Sequence, residues 1–106
     1  MVERFEVYLV DLDPQPTGEA KNTRPAVVIS PDEMNRHTGH VLIAPLASTR
    51  AKYPTRISTA FLNAERFVIL DQIRAVEKRR LVKKIGEVDK DSADAVLALL
   101  AEMFAA

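Results

Sequence analysis

Cysteine is absent from this chain of 106 residues, which excludes disulfides and thiolate metal sites alike. No apolar run approaches the length that crosses a bilayer, so no membrane partner is expected. The opening Met1-Val2-Glu3-Arg4-Phe5-Glu6 has no apolar segment of signal-peptide type, and a cytoplasmic location is the expectation. Net charge is lacking too: 15 Lys and Arg balance 15 Asp and Glu, which argues against a uniformly basic nucleic-acid binder. Internal repeats and low-complexity tracts are missing. The carboxylates and the two histidines show no metal-ligand spacing, so neither a metal nor another cofactor is expected.

What is present describes one domain spanning 1–106, with 47% hydrophobic and 28% charged residues, enough to bury a core. The charges are not spread evenly. Residues 1–40 carry four basic and seven acidic side chains, residues 41–84 ten basic and three acidic, and residues 85–106 one basic and five acidic. A basic middle between acidic ends permits a local field for a polyanion, and a solvated sheet face would look the same.

The pivotal stretch is Glu19-Ala-Lys-Asn-Thr-Arg-Pro-Ala-Val-Val-Ile-Ser30. Its apolar, largely β-branched end reads as a buried strand from Arg24 to Ser30. Pro25 biases Arg24 toward an extended backbone, which places that arginine at the mouth of the strand. Together with Glu19 and Lys21 it is a candidate anion-binding centre; an ion pair tying down a loop is the alternative.

Before it, a first strand of about eight residues starts near Phe5 and is stopped by Asp13-Pro14-Gln15-Pro16-Thr17-Gly18. After it, Ser30 as N-cap and Pro31 at the first position open a short helix ended by Gly39. Further strands are expected at Val41–Leu46, with Pro45 marking an edge or bulge, at Thr55–Ala60, at Phe67–Leu70 and at Leu81–Val88. Asp71 and Gln72 interrupt a strand run, as a bulge or an inward-facing functional pair. From an Asp89 N-cap, Ala93, Val96, Leu97, Leu100, Met103 and Phe104 recur at helical spacing and should seal the core. The fold class expected is mainly β with α, a small antiparallel barrel with a short helix after strand two and a C-terminal helix.

Val7-Tyr8-Leu9-Val10-Asp11-Leu12-Asp13-Pro14, then Glu19, Thr23-Arg24-Pro25, Ile43-Ala44-Pro45-Leu46, Tyr53-Pro54-Thr55 and Leu70-Asp71-Gln72-Ile73-Arg74 resemble the MazF/PemK toxins of type II toxin–antitoxin pairs. The resemblance covers nearly the whole chain, in order. It implies a CcdB-like, SH3-related barrel, a homodimer, and a metal-independent endoribonuclease that cuts single-stranded RNA at short sequences. Cleavage through the substrate's own 2′-hydroxyl, leaving 2′,3′-cyclic phosphate and 5′-hydroxyl ends, is likewise implied. So is a cognate antitoxin that lays an acidic tail over the RNA groove.

By this resemblance Arg24 matches the catalytic arginine, Glu19 an acid of the same loop, and Asp71-Gln72 a pair near the site. Where the family usually has a catalytic threonine this chain has Ala47, followed by Ser48 and Thr49, either of which could supply the hydroxyl. Arginine stays charged in proteins, so Arg24 suits transition-state stabilisation and Glu19 the base. Lys21, Asn22, Arg50, Lys52 and Tyr53 join Asp71 and Gln72 as expected RNA contacts, Tyr53 by stacking a base. His37 and His40 are expected in solvent, and Lys78-Arg79-Arg80 with Lys83-Lys84 as a solvated turn. Two rival readings are a binding-only protein, suggested by Ala47, and a gyrase poison of the CcdB type.

Overall fold

The run Ala26-Val27-Val28-Ile29 has no polar position because both of its faces are covered. Val27 and Ile29 join one buried cluster while Ala26 and Val28 join another, as period-two alternation requires. The computed structural model describes residues 1–13, 22–48 and 55–106. Within them lie β1 (Glu6–Asp11), β2 (Thr23–Val28), α1 (Asp32–His37), β3 (His40–Ala47), β4 (Arg56–Phe61), β5 (Ala64–Ile69), β6 (Arg74–Glu77), β7 (Leu81–Glu87) and α2 (Lys90–Met103). Every pairing is antiparallel. The sheet runs β4-β5-β3-β2-β1-β7, with β6 also on β3, and curls into an antiparallel half-barrel.

β3 is the hub. On one side it pairs with β2 through Ile43–Pro45; on the other it pairs with β6 through His40–Ile43 and with β5 through Leu46 and Ala47. Pro45 therefore marks a change of partner inside a central strand, where a missing N–H costs nothing on that side. The change is enforced by a 3-10 turn at Leu70–Gln72 between β5 and β6. Leu70 anchors it, almost fully buried, with its N–H donating to the Thr55 carbonyl at 3.0 Å. Asp71 and Gln72 are thus a turn, and both are exposed rather than inward-facing.

The first cluster (Val7, Val27, Ile29, Ala44, Leu46, Val68, Leu70) is closed by Ala93 and Val96 of α2, with Leu99, Leu100 and Met103 packed alongside. Asp89 caps this helix, accepting from the Ser92 N–H at 3.1 Å. Phe104 lies beyond the last helical turn and is 77% exposed, so it does not seal the core. The second cluster, on the other face, is Val10, Ala26, Val28, Val41, Ile43 and Val76.

Two local expectations are corrected. Phe5 adopts φ 70°, so β1 starts one residue later. Ser30 does not cap α1, whose N-cap is Pro31 without a side-chain bond. Instead the Ser30 hydroxyl donates to Asn35 Oδ1 and accepts from the Leu42 N–H at 3.0 Å, tying α1 to β3. Between β4 and β5, Leu62 and Asn63 both take positive φ (51° and 60°), the pattern of a tight two-residue hairpin.

Candidate functional site

Arg24 is extended within β2, opposite Val10 of β1, as its place before Pro25 dictates. Its side chain is exposed, and its one hydrogen bond among the described residues is a 3.4 Å contact from Nη1 to the adjacent Thr23 carbonyl. The guanidinium reaches a cleft of about 640 Å³. Buried Val10, Ala26 and Ile43 form an apolar floor, and Pro25, Pro45, Leu46 and Ile69 add apolar wall. The polar lining consists of Arg24, Arg66, Arg74, Ser48 and Gln72, beside Ala47; no carboxylate lines it among the described residues. Three guanidinium groups over an apolar base suit an anion whose neighbouring groups are flat and apolar.

The cleft exists because of the partner change on β3. Between Ile43, paired with Arg74, and Leu46, paired with Val68, the ladder is interrupted, and the bend at Leu70–Gln72 brings Gln72 to the opening. Ala47 is half-buried and opposite Phe67, whereas Ser48 follows the end of β3 and is exposed at the cleft. Of the two hydroxyls expected beside Arg24, Ser48 lines the same cleft, and Thr49 lies outside the described residues.

Asp71, exposed, is absent from the cleft lining and has partners within the chain. Its carboxylate accepts from the Thr55 hydroxyl at 2.9 Å and faces Arg56 Nε at 3.5 Å. The Thr55 hydrogen bond, helped by Arg56, holds its pKa below the ordinary aspartate value. It therefore anchors the chain where the described residues resume after position 54. Asn22, exposed, works at the other segment's base: its carbonyl accepts from the Leu12 N–H at 2.9 Å. Arg80 supports the same base, with Nη1 donating to the carbonyls of Asp11 and Asp13. The turn expected to be merely solvated thus contributes a structural arginine.

Glu19 and Lys21 lie outside the described residues, as do Thr49, Arg50, Lys52 and Tyr53. His37 and His40 are exposed, and neither lines the cleft. Sequence reasoning passed over Arg66 and Arg74 as site residues. Arg74 carried a signal, two positions after Gln72; Arg66 carried none, because only the β5 register brings it here.

The chain is similar to known proteins in sequence and in fold. The chain is 32% identical over 105 residues to Endoribonuclease EndoA of Bacillus subtilis, covering 91% of this chain and 88% of that one. It is 37% identical over 98 residues to Endoribonuclease MazF9 of Mycobacterium tuberculosis, covering 83% of each. Among solved structures, a mycobacterial endoribonuclease in complex with its cognate antitoxin superimposes with a TM-score of 0.81 at 26% identity, over 96% of this chain and 93% of that one. Residues 3–104 match the model of the PemK-like, MazF-like toxins of type II toxin–antitoxin systems, and to that family the chain belongs.

Proposed function

We infer that this chain is the toxin of a type II pair and acts as a sequence-selective, metal-independent endoribonuclease on single-stranded RNA. The carrying observation is the exposed, weakly engaged Arg24 in a cleft lined by arginines and free of carboxylates among the described residues. The relatives named as endoribonucleases support the reaction class, and weigh against a protein that only binds.

The chemistry follows from the groups at hand. The 2′-oxygen of the substrate attacks the adjacent phosphorus, forming the O2′–P bond as the P–O5′ bond breaks. A carboxylate takes the 2′ proton, the role assigned to Glu19, and the departing 5′-oxygen must gain a proton. Arg24 neutralises the charge that builds on the non-bridging oxygens, with a forked donor set that stays protonated. Ser48 adds a hydroxyl donor where Ala47 has none. The apolar floor excludes water and strengthens these interactions. The products are a 2′,3′-cyclic phosphate and a 5′-hydroxyl.

The same cleft suits the acidic tail of an antitoxin, whose carboxylates would occupy the phosphate positions; a mycobacterial endoribonuclease and MazF of Deinococcus radiodurans have each been solved with an antitoxin. Action in the cytoplasm as a homodimer completes the reading.

The test is an RNase assay with EDTA present and the RNA ends mapped by sequencing. Discrete cuts with cyclic-phosphate ends, abolished by Arg24→Ala, are expected. Intact RNA from the antitoxin-free protein, with cutting restored by Ala47→Thr, would instead make this a binding-only member.

A further inference from the structure

We propose that Arg66 is a second phosphate-binding arginine of this cleft, holding the RNA backbone beside the bond that is cut. The inference rests on the endoribonuclease reading and extends it to a residue that motif resemblance leaves aside. The β3–β5 ladder pairs Leu46 with Val68 and Ala47 with Phe67. One step further along the two strands stand Ser48 and Arg66, and both line the cleft with Arg24. Arg66 is only half-exposed, and its Nε is buried with no hydrogen-bond acceptor among the described residues. A buried guanidinium N–H without an acceptor is costly, and such groups persist where a ligand completes them.

The nearby carboxylates are engaged elsewhere. Glu65 accepts from the Ser58 hydroxyl at 3.0 Å, and Asp71 from Thr55. Asp89 accepts from Thr59, the residue opposite Arg66 on β4, and from Ser92. With these carboxylates engaged, the charge of the Arg66 guanidinium, which lines the cleft, is left for an anion entering it. Arg24 on β2 and Arg66 on β5 stand on strands flanking β3, so a strand of RNA crossing β3 near Ser48 meets a guanidinium from each. A phosphate contact of this kind adds affinity at every sequence and reads no base.

The experiment measures binding of a mixed-sequence pool of single-stranded, fully 2′-O-methylated RNA, which cannot be cut, over a range of KCl concentrations. Arg66→Gln should weaken binding about tenfold and reduce the slope of log K against log salt by about 0.7, the loss of one phosphate contact on a single strand. Arg66→Lys, which keeps the charge, should retain the slope. An Arg66→Gln slope equal to that of the wild type overturns the inference while leaving the endoribonuclease reading standing. Wild-type protein with no salt-dependent RNA affinity overturns both. Should Arg66→Gln fail to fold, phenylglyoxal modification of the wild type decides. RNA should protect Arg66, and an unchanged modification rate overturns the inference.

Discussion

The two ends of β1 treat charge in opposite ways. At its start Glu6 is buried, yet its carboxylate accepts from the Glu3 N–H at 2.7 Å, from the Tyr8 hydroxyl at 3.0 Å and from Lys84 Nζ at 2.7 Å. Among the described residues, toward its other end, Arg24 across from Val10 has one long contact to a neighbouring carbonyl, and Arg66 nearby has a buried Nε without an acceptor. A buried charge with all its partners in the chain serves the fold. Of the two arginines only Arg66, with its buried Nε, bears a cost in stability; exposed Arg24 stays solvated and open to a ligand.

The comparison predicts that function and stability separate by position. Arg24→Ala should lower the cleavage rate by about 10²–10³, the usual loss when a transition-state donor is removed. Because Arg24 holds little of the fold, the melting temperature should hardly move; a large fall in it would show that the arginine is structural after all. Gly86→Ala should do the reverse. Gly86 sits at φ 153° in β7, and an added Cβ would lie 2.8 Å from the ring of Phe61. Overpacking and backbone strain together should cost about 1–3 kcal/mol in urea unfolding, with cleavage by the folded fraction retained. Loss of cleavage at unchanged stability would contradict this.

A finer probe is pH. Burial works to raise the Glu6 pKa, but the bonds from Lys84, the Glu3 N–H and Tyr8 outweigh it and the value lies below that of an ordinary glutamate. A depressed folded-state pKa stabilises above the unfolded value, and that contribution is lost as pH falls through the folded one. Stability should therefore decline on the acid side, and Glu6→Gln should flatten the decline; equal slopes in the two proteins would remove Glu6 from the account. The smallest effect is expected in the hairpin between β4 and β5. Leu62 is 63% exposed and held at φ 51° in the hairpin. Leu62→Asn should raise stability by about 0.5–1 kcal/mol, since asparagine tolerates that conformation at lower cost.

Local chemistry alone was enough for the strand at Ala26–Ile29, for the extended Arg24 before Pro25, and for the Asp89 cap on α2. Each depends on residues a few positions apart, where steric and hydrogen-bond preferences act within one segment. The hairpin at Leu62-Asn63 was not legible, because leucine is not a residue that announces a left-handed turn. The bonds of Asp71 to Thr55 and Arg56 were not legible for a different reason. An aspartate after a core strand looks the same whether it faces a ligand or anchors Thr55 and Arg56.

By itself, then, the order of residues determined that this chain forms a small antiparallel β fold closed by a helix, with an arginine at a strand mouth. Tertiary structure alone decided that β3 changes partners at Pro45, and that the resulting cleft gathers Arg24, Arg66 and Arg74 from three different strands. Cross-strand register is a non-local property: a shift of one residue turns every side chain to the other face. No short stretch of sequence records which distant arginines will meet.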